Sequence, residues 1–160
     1  MFAVPPNTVA LAATPATAHP VLTAREYALD RARWARLLRY DPVERFAALV
    51  ERTEDQEVWL LSWLPGQGTD LHDHSFATGA FTVVSGTLTE RVAVPGRAAE
   101  VLHTLTAGQS RVFGPGYVHQ VRNDSPDPAV SVHVYRSNRP AMRNYRIDPV
   151  TGLEPLPPAR

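Results

Sequence analysis

The sequence predicts an all-β core with helices in front of it, and three observations carry that prediction. From Glu57 onward, short runs rich in Val, Leu, Phe and Trp alternate with Gly and Pro punctuation, as in a sandwich or barrel of short strands. Before Glu57, two segments combine helix start signals with spaced apolar side chains. Nowhere do strands and helices alternate in a βαβ rhythm, and no internal repeat is present. A chain of 160 residues suits one domain.

The elements follow in order. Residues 1–20, rich in Ala, Pro and Thr, are expected to form a disordered arm without the basic n-region and apolar stretch of a signal peptide. Thr23 and Glu26 have capping-box spacing, and Tyr27, Leu29, Trp34, Leu37 and Leu38 supply the apolar weight of a helix reaching Tyr40. Asp41-Pro42-Val43-Glu44 then predicts a second helix, with Phe46, Leu49 and Val50 as its apolar side and its end near Arg52. Strands are predicted at Glu57–Trp63, Gly79–Ser85, Thr87–Val94, Val101–Thr104, Ser110–Phe113, His119–Arg122, Val130–Ser137 and Tyr145–Ile147. Pro65-Gly66, Ser85-Gly86, Pro95-Gly96, Ala107-Gly108 and Gly114-Pro115-Gly116 mark turns between them. Residues 21–150 make up the expected single domain, and 151–160 a Pro-rich surface tail.

Composition narrows the function. Sixteen basic residues balance sixteen acidic ones, so neither nucleic acid nor an anionic membrane is an expected partner. The longest apolar run falls short of the roughly 18 residues a transmembrane helix needs. With no cysteine, a disulfide framework, a thiolate metal site and a cysteine nucleophile are all excluded. This fits a reducing compartment, and a cytoplasmic protein is the expectation. Monomer and dimer stay equally open.

Three histidines carry the chemistry. His72 and His74 are two apart, so in an extended segment both imidazoles share a face while Asp73 points away. His119 follows the Gly114-Pro115-Gly116 turn and can bring a third imidazole from a distant strand to the inside of a small barrel. Any one of these histidines alone reads more simply as a packed or surface residue, and His19 and His103, which lack such a setting, are read as surface residues. Together, His72, His74 and His119 are expected to bind one divalent metal ion. Three imidazoles suit Fe, Zn, Ni, Co or Mn.

The motifs around these histidines resemble those of a known family. Gly66-Gln67-Gly68-Thr69-Asp70-Leu71-His72-Asp73-His74, with Gly86 further on, matches the first cupin motif. Gly108 to Asn123, containing Pro115, Gly116, His119 and Asn123, matches the second. The variant resembles the cysteine dioxygenase family of thiol dioxygenases, in its bacterial form. The resemblance implies a cupin-type double-stranded β-helix (a jelly-roll barrel), Fe(II) as cofactor, and a small thiol and O2 as partners. Many cupins add a glutamate ligand four or five residues after the second histidine. Here Thr78 and Gly79 stand there. An all-histidine face keeps the full charge of the ion and leaves positions for oxygen and an anionic thiolate.

Ser131, His133 and Tyr135 alternate with Val130, Val132 and Val134. Periodicity alone reads this as a polar outer face and an apolar inner one. The resemblance reverses the reading, because thiol dioxygenases carry Ser-x-His-x-Tyr inside the barrel. It implies that Tyr135 faces bound oxygen or substrate, that His133 holds Tyr135, and that Ser131 orients His133. In many animal members a cysteine crosslinks to this tyrosine. Gly79 occupies that position here, so Tyr135 is expected to act as a free phenol.

Cysteine-specific members bind the substrate carboxylate with an arginine, whose position falls near Ala48. Arg45 and Arg52 stand nearby, and a solvated helix face is the plain reading of both. Arg139 and Arg143 follow the Tyr135 strand, and Arg139 is the other candidate carboxylate-binding group, since a guanidinium fork matches a carboxylate. Trp63 and Phe81 match pocket positions of the family and read equally well as core aromatics. The expected activity is conversion of a small carboxylate-bearing thiol, cysteine or a relative such as 3-mercaptopropionate, to its sulfinate. A metal cupin acting on a non-thiol substrate and a non-catalytic metal- or ligand-binding cupin are the alternatives.

Overall fold

A computed structural model describes residues 18–94, 99–136 and 141–158. The expected arm up to residue 17 and the candidate Arg139 lie outside the described residues. Two antiparallel sheets face each other. Strands β1 (Phe46–Arg52), β2 (Gln56–Trp63), β4 (Thr78–Ser85), β7 (Ser110–Phe113) and β9 (Ala129–Arg136) form one, in the order β1-β2-β9-β4-β7. Strands β3 (His72–Asp73), β5 (Thr87–Ala93), β6 (Glu100–Thr106), β8 (His119–Arg122), β10 (Arg143–Asp148) and β11 (Gly152–Pro155) form the other, in the order β11-β10-β3-β8-β5-β6. All eight strands predicted from the sequence are present, with ends shifted by a few residues.

The strands' alternation sorts side chains into two cores. Leu61, Trp63, Phe81, Val83, Leu88, Phe113 and Val121 point between the sheets. Val58, Leu60, Val130, Val132 and Val134 point outward and meet Ala24, Tyr27 and Trp34 of the N-terminal segment. The central strands β2, β9 and β4 of the first sheet are thus buried on both faces over most of their length. Gly86 makes the β4–β5 turn at φ 76°, and a Cβ there would come within 2.5 Å of the Pro128 carbonyl oxygen.

Three expectations are corrected. The first helix is shorter: α1 spans Pro20–Leu29, with Pro20 in its first turn and His19, not Thr23, capping it. Two 3₁₀ turns follow, Arg31–Arg33 and Ala35–Leu37, and they carry Trp34 into the outer core, where its indole N–H donates to the Tyr27 carbonyl at 2.8 Å. The second helix does not form. Asp41 accepts from the amides of Val43 and Glu44 as a cap would, but the chain then enters β1 and pairs with β2 from Phe46↔Ser62 to Arg52↔Glu57. Ladder pairing with a neighbouring strand outweighs the local helix signal. Within the expected tail, Gly152–Pro155 pairs with β10 as an edge strand, with its proline at the last position.

Candidate metal centre and its cavity

β3 and β8 pair through a single register, His72↔His119. That pairing and the two-residue spacing of His72 and His74 bring all three imidazoles to one point between the sheets. His72 Nε2 lies 3.2 Å from His74 Nε2, which lies 3.3 Å from His119 Nε2. Among the described residues this is the group whose ligand atoms converge, all within 4.8 Å. With metal–nitrogen bonds of about 2.0–2.1 Å, two imidazoles on one ion stand about 3.0 Å apart in octahedral geometry and about 3.4 Å in tetrahedral geometry.

The hydrogen bonds fix which nitrogen is bare. His72 Nδ1 lies 2.8 Å from the Asp70 carbonyl, and His119 Nδ1 lies 2.9 Å from Glu90 Oε1. Both partners only accept, so each Nδ1 carries the proton and each Nε2 presents a lone pair. Burial and the neighbouring histidines lower His72 to about 4 and His74 to about 3, which keeps both rings neutral at physiological pH. Converging lone pairs repel one another unless a cation sits between them, so the donor set suits a divalent metal ion.

A carboxylate network that the sequence reading missed stands behind the centre. Glu90 is fully buried on β5. It accepts from Arg111 Nε at 2.6 Å and from the Tyr117 hydroxyl at 3.1 Å, besides His119. The available signal was Leu88-x-Glu90-x-Val92, a carboxylate on an otherwise apolar strand face. Asp73, expected to point away, does so into a second network: Arg143 and Tyr145 of β10 both reach Asp73 Oδ2 at 2.7 Å. Arg143 thereby braces the back of β3.

A cavity of about 290 Å³ opens beside the histidines. Its wall includes Arg45, Trp59, Leu61, Trp63, Val121, His133 and Tyr135, with Ala141 and Met142 among the remaining residues. Tyr135 Oη lies 3.3 Å from His133 Nδ1, and His133 Nε2 lies 2.9 Å from Ser131 Oγ. The row begins one residue earlier than the sequence suggested, because the Trp63 indole N–H donates to Ser131 Oγ at 2.9 Å. Burial raises Tyr135 to about 12 and drives His133 well below its ordinary value, helped by the Arg45 charge. Both groups are therefore neutral, with the phenol protonated.

Arg45 precedes β1 and has no helix face to occupy. Its guanidinium carbon stands 5.2 Å from the Trp63 ring centroid, on the cavity wall, and burial lowers its pKa. Arg52 instead pairs with Glu57 at 2.8 Å. Phe81 is fully buried and stacks on His133, with centroids 4.8 Å apart and planes 10° from parallel, so it supports the row from behind. No helix among the described residues is long and apolar enough to cross a membrane.

Among solved structures, the chain is similar to a Klebsiella pneumoniae protein with a double-stranded β-helix domain: 25% identity over 68% of this chain and 90% of that one, TM-score 0.59. A Thermus thermophilus protein is 29% identical over 64% of this chain and 92% of that one, TM-score 0.56. A cupin superfamily protein of Desulfitobacterium hafniense shares the fold at 8% identity over 66% and 88% of the two chains, TM-score 0.55. The two sheets are therefore those of a cupin. No curated protein matches the chain. The family description "Cysteine dioxygenase type I" matches residues 17–147. That span takes in both histidine motifs, the Ser131–Tyr135 row and Arg45, and the chain belongs to the cysteine dioxygenase type I family.

Proposed function

We propose that this protein is an Fe(II)-dependent thiol dioxygenase that converts a small carboxylate-bearing thiol, cysteine or a close relative such as 3-mercaptopropionate, to its sulfinate. The observation that carries the reading is a shared cavity: Arg45 lines the same space as His72, His74, His119 and Tyr135. An all-histidine face offers an ion with open positions, and a guanidinium within the same cavity offers a carboxylate its partner. The reaction balances without a reductant: R–SH and O2 give R–SO2H, the sulfur being oxidised and both oxygen atoms ending on it. Bound Fe(II) supplies the redox chemistry that joins thiolate and O2.

The chain's own groups orient and protect. Arg45 holds the carboxylate so that the thiol end reaches the histidine face. Trp59, Leu61, Trp63 and Val121 keep water from the reacting atoms. Tyr135, a protonated phenol, offers an O–H to substrate or oxygen, and His133 and Ser131 set its direction. The test is oxygen uptake by Fe(II)-loaded protein on addition of a panel of small thiols, with sulfinate detected by mass. Uptake matched by sulfinate supports the proposal; no uptake across the panel overturns it.

A further inference from the structure

We propose that Glu90 supplies, through His119, the negative charge that the three-histidine face lacks at the metal. The inference rests on the metal-centre part of the reading above and not on thiol chemistry. Orientation alone does not call for a carboxylate. His72 has its Nδ1 proton fixed by a backbone carbonyl, that of Asp70, at 2.8 Å. His119 has the same proton fixed by a fully buried glutamate at 2.9 Å. Burying a carboxylate is costly, and an aliphatic side chain on this strand face would pack with Leu88 and Val121 without that cost.

The protein keeps the charge in place. Arg111 donates from Nε to Glu90 Oε2 at 2.6 Å, while Tyr117 Oη and His119 Nδ1 share Oε1. Arg111 Nη2 also donates to Tyr117 Oη at 3.1 Å, locking the three groups together. A carboxylate on the outer nitrogen of a ligating imidazole makes the ring a stronger donor and favours the more highly charged state of the ion. The carboxylate ligand absent at Thr78 and Gly79 is thus offset from one imidazole further out, which leaves the open positions free.

Glu90→Gln separates charge from orientation, because its amide oxygen still accepts from the His119 Nδ1–H. The expected results are Co(II) affinity about 10- to 100-fold weaker, by direct titration, and an Fe(III)/Fe(II) midpoint potential shifted upward. Arg111→Gln, which unmasks the Glu90 charge on a partly exposed side chain, is expected to shift the potential downward. It keeps the test decisive if Glu90→Gln fails to fold. Potentials unchanged from wild type in the folded variants, or shifts of the same sign in both, overturn the inference. Failure of the wild type to hold Co(II) or Fe(II) overturns the metal centre itself and leaves thiol selectivity out of the question.

Discussion

Trp63 donates its indole N–H to Ser131 Oγ at 2.9 Å, across the β2–β9 ladder and beneath the cavity. This bond fixes one lone pair of Ser131, so the hydroxyl has one direction left in which to meet His133 Nε2. Trp63→Phe removes the donor and keeps most of the ring. The expected cost is about 1 kcal/mol of stability, read by chemical denaturation. It also leaves Ser131 free to rotate, and kcat should fall while KM holds. Tyr135→Phe should lower kcat further, by about 10²-fold, without altering the shape of the pH–rate profile between about pH 6 and 9. The phenol, raised to about 12, does not titrate in that range.

Arg45 gives the sharpest test of substrate class. A guanidinium–carboxylate pair in a shielded cavity contributes about 1.5–3 kcal/mol, or roughly 10- to 150-fold. Arg45→Gln should raise KM for a carboxylate-bearing thiol by that factor and leave a thiol without a carboxylate, such as cysteamine, unaffected. Equal losses for both would remove Arg45 from the binding role. Arg45→Lys should recover part of the loss, since it restores the charge without the fork.

What the sequence reveals about this site depends on how far local pattern reaches. The His72-x-His74 spacing is legible because strand geometry alone puts both rings on one face. The Ser131-x-His133-x-Tyr135 row is not. Its periodicity points the polar residues outward, yet Val130, Val132 and Val134 find their partners in Ala24, Tyr27 and Trp34, more than 90 residues earlier in the chain. A sheet covered by a helical layer hides which face is the inside. Asp41 misleads for a similar reason: it makes the hydrogen bonds of a helix cap, and only the distant pairing with β2 decides that a strand follows. Glu90 was visible only as an oddity on its strand, since nothing local links it to a histidine 29 residues on.

The histidines also set a pH dependence. Folded, His72 and His74 stay neutral down to about 4 and about 3; unfolded, they take up protons near 6.5. Between these values the unfolded chain binds more protons, so stability rises with pH across the window. Metal-free protein should lose stability as pH falls from 6.5 toward 4, whereas protons should compete with a bound metal for the folded His72 and His74 only at about pH 4 and below. Urea midpoints in the presence of a chelator, at about pH 7 and about pH 5, check this through the proton linkage. Equal midpoints would contradict it.

Gly79 stands between Phe113 and Tyr135 in the ladder, paired with both. Their ring centroids are 5.7 Å apart, and the Phe113 ring leans over the glycine. A Cβ built on Gly79 would meet Phe113 at 2.4 Å and the Val134 carbonyl oxygen at 2.5 Å. The space that a crosslinking cysteine would need beside Tyr135 is therefore filled by Phe113, and the free phenol is a consequence of packing as well as of the missing thiol. Gly79→Cys should cost about 1–3 kcal/mol through overpacking, read by denaturation. It should yield no thioether to Tyr135 on incubation with Fe(II) and O2, as tested by the mass and fluorescence of the tyrosine peptide. Pairing it with Phe113→Ala removes the ring contact but not the backbone one, so only part of the lost stability should return. If Gly79→Cys alone folds at wild-type stability and crosslinks, Phe113 is not the barrier and the argument from packing fails.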